Sequence, residues 1–102
     1  MPNFTDMLSK AQEMQKKMAD IQSEINTMEV EGTSGGDMVK ALVRGDKKIL
    51  SLNLNSDILN EDKEMLEDLI LVAINQAIEK VDSISKDKMG PLTGGMNVPG
   101  LF

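Results

Sequence analysis

Residues 4–28 read FTDMLSKAQEMQKKMADIQSEINTM, and eight apolar side chains in this stretch keep an alternating three-four spacing. Phe4, Ala11, Met18 and Ile25 hold one heptad position; Met7, Met14, Ile21 and Met28 hold the other. An apolar residue every 3.5 positions makes a narrow stripe, the seam along which one helix meets another. At about 1.5 Å per residue this seam runs for ~36 Å, longer than a chain of 102 residues needs for its own core. The spacing predicts one helix from about Asn3 to Met28. Asn3 or Thr5 stands where a cap belongs, and Asp6 suits the positive end of the dipole. Met7, Ala11, Met14, Met18, Ile21, Ile25 and Met28 are the candidate seam and dimer contacts. Their mate is left open between this chain, a second copy and another protein.

Past Met28 the period changes from 3.6 to 2. Met28 to Glu31 alternates, and Gly32-Thr33-Ser34-Gly35-Gly36-Asp37 reads as a turn. Met38 to Arg44 alternates with Val39, Ala41 and Val43 on one face. Gly45-Asp46 makes a second turn. Ile49 to Leu54 follows, with Leu50, Leu52 and Leu54 expected inward and Ser51 and Asn53 outward. Three short strands joined by Gly-containing turns predict an antiparallel meander. A second helix is expected from near Glu61 to near Met89, acidic at its start and with Lys86 and Lys88 in its last turn. Its apolar residues, Leu66 to Ile84, cover more than one stripe, which asks for cover on two sides. Gly90 to Phe102 is rich in Gly and Pro and is expected to be a flexible tail. The expected class is therefore α+β, with one domain over 1–89 and the tail over 90–102.

Composition narrows the function. There is no Cys and no His, so thiol chemistry, the commonest general base and the commonest transition-metal ligand are all missing. No Lys sits in an evidently apolar run to serve as a nucleophile, and an enzyme is not expected. No apolar run approaches the roughly 18 residues that span a bilayer, and the first residues do not form a secretory signal. An intracellular protein without a membrane partner is the expectation. The acidic cluster Glu61, Asp62, Glu64, Glu67 and Asp68 reads as a helix start suited to its dipole, and no metal or other cofactor is expected. Ser34-Gly35-Gly36 lacks the Lys-Ser/Thr of a phosphate loop. Arg44-Gly45-Asp46 reads as turn chemistry.

Net charge is −6, which taken alone argues against a nucleic-acid partner. The charge is uneven. Met38 to Lys48 carries a local +3, and Asp57 to Asp68 a local −5. With one Arg and no aromatic ring in the basic stretch, the residues support phosphate contact with duplex DNA and little base reading.

Several segments together resemble one family. Ile25-Asn26-Thr27-Met28-Glu29-Val30-Glu31-Gly32 leads into Ser34-Gly35-Gly36-Asp37-Met38-Val39-Lys40. Asp62-Lys63-Glu64-Met65-Leu66-Glu67-Asp68-Leu69-Ile70 follows, then Ala73-Ile74-Asn75-Gln76-Ala77 and Lys86-Asp87-Lys88-Met89. Leu92-Thr93-Gly94-Gly95-Met96-Asn97-Val98-Pro99-Gly100 closes the chain. The sequence resembles the YbaB/EbfC family of bacterial nucleoid-associated proteins. The resemblance implies a tweezer-like homodimer with helical arms, binding to duplex DNA, cytoplasmic residence at the nucleoid and no catalysis. The family has no crisp DNA-contact signature, so charge and position choose the candidate DNA contacts: Lys10, Lys16 and Lys17 on the first helix, and Lys40, Arg44, Lys47 and Lys48 around the hairpin. The alternative is a coiled-coil module that grips a protein through the first-helix seam without touching DNA.

Overall fold

A computed structural model describes residues 3–93. The elements run α1 (Phe4–Thr27), β1 (Glu29–Ser34), β2 (Val39–Arg44), β3 (Ile49–Leu54), a 3-10 turn (Ser56–Ile58) and α2 (Lys63–Thr93). The strands form one antiparallel sheet in the order β1-β2-β3. This is the α+β arrangement that the change of period predicts. Asn3 caps α1, its Oδ1 accepting from the Asp6 N–H at 2.8 Å. Asp62 caps α2 in the same way, accepting from the Met65 N–H at 2.9 Å. That geometry starts α2 at Lys63, two residues after the expected Glu61.

The core lies between α2 and one face of the sheet. Val39, Ala41 and Val43 alternate along β2 and are fully buried, opposite Ala73, Ala77 and Val81 of α2. One contact sets the spacing between the layers. Gly32 pairs with Ala41 across β1 and β2. A β-carbon at Gly32 would collide with the Ala73 carbonyl and lie 2.7 Å from the Ala77 nitrogen. The helix backbone therefore rests directly on the strand backbone, and only small residues fit at the crossing. Gly32 belongs to β1 and not to the turn expected there. β1 runs on to Ser34, and the reversal is made by Gly35, Gly36 and Asp37, all left-handed with φ of 60°, 63° and 70°.

Two further expectations are corrected. Leu50, Leu52 and Leu54 do not form an inward row. The β2–β3 register shifts between Leu42 and Val43, so Val43 faces Ile49 while Ala41 faces Leu52. Leu50 is the extra residue of a bulge, which breaks the strict alternation. Ile49, Leu52 and Leu54 share the α2 side of the sheet, yet Ile49 is 49% exposed and Leu52 43% exposed. The reason is coverage: α2 lies over β1 and β2 and barely reaches β3. Secondly, α2 continues through Gly90 and Pro91 to Thr93, where a tail was expected from Gly90. Lys88 bonds Glu24 of α1 at 2.7 Å and Met89 is buried, so this end is anchored and carries the helix past its breakers. The remainder of the expected tail, 94–102, lies outside the described residues.

The seam of α1 splits. Ile25 is buried and Met18, Ile21 and Met28 are half-buried at the base, next to α2. Phe4 is 79% exposed and Met7 61%, with Ala11 and Met14 also exposed. The first half of α1 is an arm. It stretches the molecule to 71 × 22 × 17 Å with a Cα radius of gyration of 19.4 Å, against about 13 Å for a compact domain of 100 residues.

Gly32→Ala is expected to lose at least ~2 kcal/mol of stability by overpacking a backbone contact that cannot move aside. Urea unfolding at an unchanged m-value measures it. A loss under ~0.5 kcal/mol would show that the two layers are not locked at this point.

Candidate nucleic-acid interface

The β2–β3 hairpin is wedged at the root of the arm. The Gly45 N–H donates to the Met28 carbonyl at 2.9 Å, and a β-carbon on Gly45 would run into the Ile25 carbonyl. This contact fixes the basic hairpin at the C-terminal end of α1. Within the hairpin, Arg44 is already occupied. Its Nε donates to Asp46 Oδ1 at 2.9 Å and its Nη2 to Asp46 Oδ2 at 2.6 Å. Asp46 Oδ1 also accepts from the Lys48 N–H at 3.3 Å. The hydrogen bonds from Arg44 hold the Asp46 carboxyl down at about 2, against an ordinary value of 3.8, and the same pair raises Arg44. Lys47, at φ 68°, reaches Asp82 of α2 at 3.0 Å. Two of the four hairpin cations expected to meet DNA are thus neutralised by carboxylates of the same chain, while Lys48 and Lys40 have no carboxylate partner among the described residues.

Lys40 is on the opposite face of the sheet from α2, paired with Thr33 and Asn53 across the strands. With Asp37, Met38, Asn53 and Asn55 it lines an open recess of about 180 Å³. Lys10, Lys16 and Lys17 stand exposed on the arm, and among the described residues no carboxylate bonds any of them. Lys17 is roughly 15 Å and Lys10 roughly 26 Å from the root of α1, at 1.5 Å per residue. Asp6, Glu13 and Asp20 lie within about a turn of these lysines, so the arm offers separate cations and not an unbroken basic stripe.

The acidic stretch is elsewhere. Ile58 and Leu66 pack around Val39 at the start of β2, whereas the hairpin and the arm root adjoin Val43 at its end. Four residues of strand put about 13 Å between them, more than the ~8 Å screening length at physiological salt. The net charge of −6 therefore does not describe what a ligand at the arm meets. Among the described residues, no three acidic side chains converge to hold a metal ion. Asp62 instead caps α2, and Glu67 pairs loosely with Lys63 at 3.8 Å. No helix among the described residues is long and apolar enough to cross a membrane.

With this geometry in place, comparison with known proteins decides the family. The YbaB/EbfC DNA-binding family matches the chain over residues 1–96. The chain belongs to the YbaB/EbfC DNA-binding family. It is 44% identical over 101 residues to a nucleoid-associated protein of Caldanaerobacter subterraneus subsp. tengcongensis, covering 98% of this chain and 91% of that relative. A nucleoid-associated protein of Clostridium perfringens is 45% identical over 103 residues, covering 100% of this chain and 92% of the relative. The fold is similar to the crystal structure of uncharacterized protein HP0035 from Helicobacter pylori, with a TM-score of 0.75 at 22% identity, over 90% of this chain and 98% of that one. The family is one of DNA-binding proteins and is not an enzyme class.

Gln76 and Lys80 escape sequence reading. Gln76 Oε1 accepts from the Thr33 N–H at 2.7 Å, and Lys80 Nζ donates to the Glu31 carbonyl at 2.9 Å. They lie one turn apart on α2 and cover the outer edge of β1. Their spacing was visible in the sequence, but nothing in it shows that this flank of the helix reaches a strand edge.

The Asp46 carboxyl is depressed in the fold, so its contribution is present above the ordinary 3.8 and is lost as pH falls through about 2. Thermal melts between these pH values should show an acid-side loss that Asp46→Asn removes. Carboxyl NMR should place Asp46 near 2. A titration at the ordinary carboxylate value would mean that Arg44 is free in solution.

Proposed function

We propose that this chain acts as a homodimer at the nucleoid and binds duplex DNA mainly through phosphates, with little reading of sequence. The observation that carries the proposal is the arm. Half of α1 stands clear of the body and presents Lys10, Lys16 and Lys17 with no carboxylate partner among the described residues. Two copies double the cations and fix the distance between the arms. The second contact then forms at high effective concentration, so modest patches suffice. Lys40 and Lys48 can add contacts from the body. Arg44 and Lys47 contribute less, because each must first give up an acidic partner. The lack of an aromatic ring in the basic stretch 38–48 and the single Arg favour backbone contact over base recognition.

A second reading rests on the exposed arm seam. Phe4, Met7 and Met14 are bare, and a narrow Met-rich stripe fits an amphipathic helix of a protein partner. In that reading the arm carries no DNA contact.

Fluorescence anisotropy with a labelled duplex across a salt series separates the two. Each phosphate contact removed should lower the log-log salt slope by about one, on all sequences alike. In the homodimer Lys16→Ala with Lys17→Ala removes up to four contacts and is expected to lower it by about four, and Arg44→Ala by less than two. No binding at low salt would sink the DNA reading. An unchanged slope in the double variant would take the contact off the arm.

A further inference from the structure

The seam of α1 is covered by degrees, and α2 supplies the cover. Met28 packs against the cluster of Val43, Ala77 and Val81, and further out Lys88 bonds Glu24 at 2.7 Å. So α2 followed from Val81 to Lys88, and α1 followed back from Met28 to Glu24, leave the sheet together as an antiparallel pair. On that pairing Thr93, the end of α2, is level with about Ala19 of α1. Met89 is buried and Leu92 half-buried along this stretch. Burial on α1 follows the same limit. Ile25 is buried, Ile21 and Met18 are half-buried, and Met14, Ala11, Met7 and Phe4 are exposed. The seam goes bare at the level where α2 stops.

The chain beyond Thr93 has the composition to continue that cover. Residues 94–102 read GGMNVPGLF, with Met96, Val98, Leu101 and Phe102 apolar and no charged side chain. Nine residues reach about 30 Å when extended. The bare seam from Met14 to Phe4 is about 15 Å of helix and starts about one turn past the level of Thr93. The exposed Leu71, on the part of α2 beside the sheet, is about 33 Å back along the helix from Thr93, beyond that reach. Charge agrees with the nearer site. The bare seam is flanked by Lys10 and Lys17 on one side and by Leu8 and Gln15 on the other, so a neutral segment meets no like charge there.

We propose that residues 94–102 run back along the arm of the same chain as a strap, laying Met96, Val98, Leu101 and Phe102 on the bare seam of α1. Gly94-Gly95 gives the chain its exit from α2, since glycine is the usual residue just past a helix end. Pro99 keeps the strap from resuming a helix. The strap carries no acidic side chain, so Lys10 and Lys17 stay available beside it. Seam cover and phosphate contact are therefore compatible, and the strap stands or falls independently of the DNA reading. It also makes the seam a conditional surface: a partner helix that grips Met7 and Met14 has to displace the strap first.

The chain has no Cys, so a pair of introduced thiols reports one contact. Ala11→Cys with Met96→Cys joins seam to strap. Ser9→Cys with Met96→Cys moves the first thiol to the opposite face of α1 at nearly the same height. Ala11 and Ser9 are both exposed, and circular dichroism confirms that each variant is folded. Under glutathione disulfide the seam pair is expected to close within one chain, as a fast-running monomer band on a non-reducing gel. Its rate should exceed that of the opposite-face pair by about tenfold or more, because docking raises the effective concentration. Equal rates in the two pairs, no closure in either, or a bond between these two positions on different chains would each overturn the strap. Methionine-methyl NMR of the chain without introduced Cys checks it separately. Replacing the strap side chains together (Met96→Ser, Val98→Ser, Leu101→Ser and Phe102→Ser) should move the Met7 and Met14 signals and leave Met28 in place. Unmoved Met7 and Met14 signals would also overturn the strap.

Discussion

Everything in this fold hangs on how closely α2 approaches β1. At Gly32 the helix backbone occupies the space of a side chain, and Ala41, Ala73 and Ala77 keep the crossing small. That proximity lets Gln76 and Lys80 reach the outer backbone of β1, and lets the Ser34 hydroxyl donate to the Leu69 carbonyl at 2.6 Å. It also pins α2 to one side of the sheet. One helix laid over β1 and β2 cannot also cover β3, so the covered edge of β1 and the bare face of β3 have the same cause.

A second close contact sets the orientation of the arm. Gly45 lets the β2–β3 hairpin touch the last turn of α1 directly, and Lys88 ties the C-terminal part of α2 to Glu24. The base of the seam is used up there. The rest of α1 has no neighbour among the described residues, which turns a helix of 24 residues into a projection. The same hairpin holds Arg44 and Lys47 against carboxylates, so the free cations of this end are concentrated on the arm and at Lys48.

The element order was legible because each signal is local. Heptad spacing declares α1 within one residue at each end, and Val39, Ala41 and Val43 show the buried face of β2 by alternation alone. Gly32 misled because a glycine beside Thr33, Ser34 and two more glycines looks like a turn. Its true reason is a contact with a helix more than 40 residues away. Pro91 misled in the same direction, since tertiary anchoring of Met89 and Lys88 outweighs a local breaker. Of the candidate DNA residues, the sequence identified the cations but not their partners. Asp46 lies two residues from Arg44 and was visible as a neighbour, whereas Asp82 meets Lys47 only through the fold.

The sequence by itself determined the class, the strand order of a meander, the buried row of β2, the long seam and the family resemblance. Each of these depends on residue type at short spacing, which the chain carries whatever its three-dimensional course. Tertiary structure decided which half of the seam is bare, which lysines are free, where the acidic stretch lies relative to the arm, and which strand is left uncovered. Those properties depend on which distant backbone segments come within contact distance, and a pair of glycines at 32 and 45 permits that approach without announcing it.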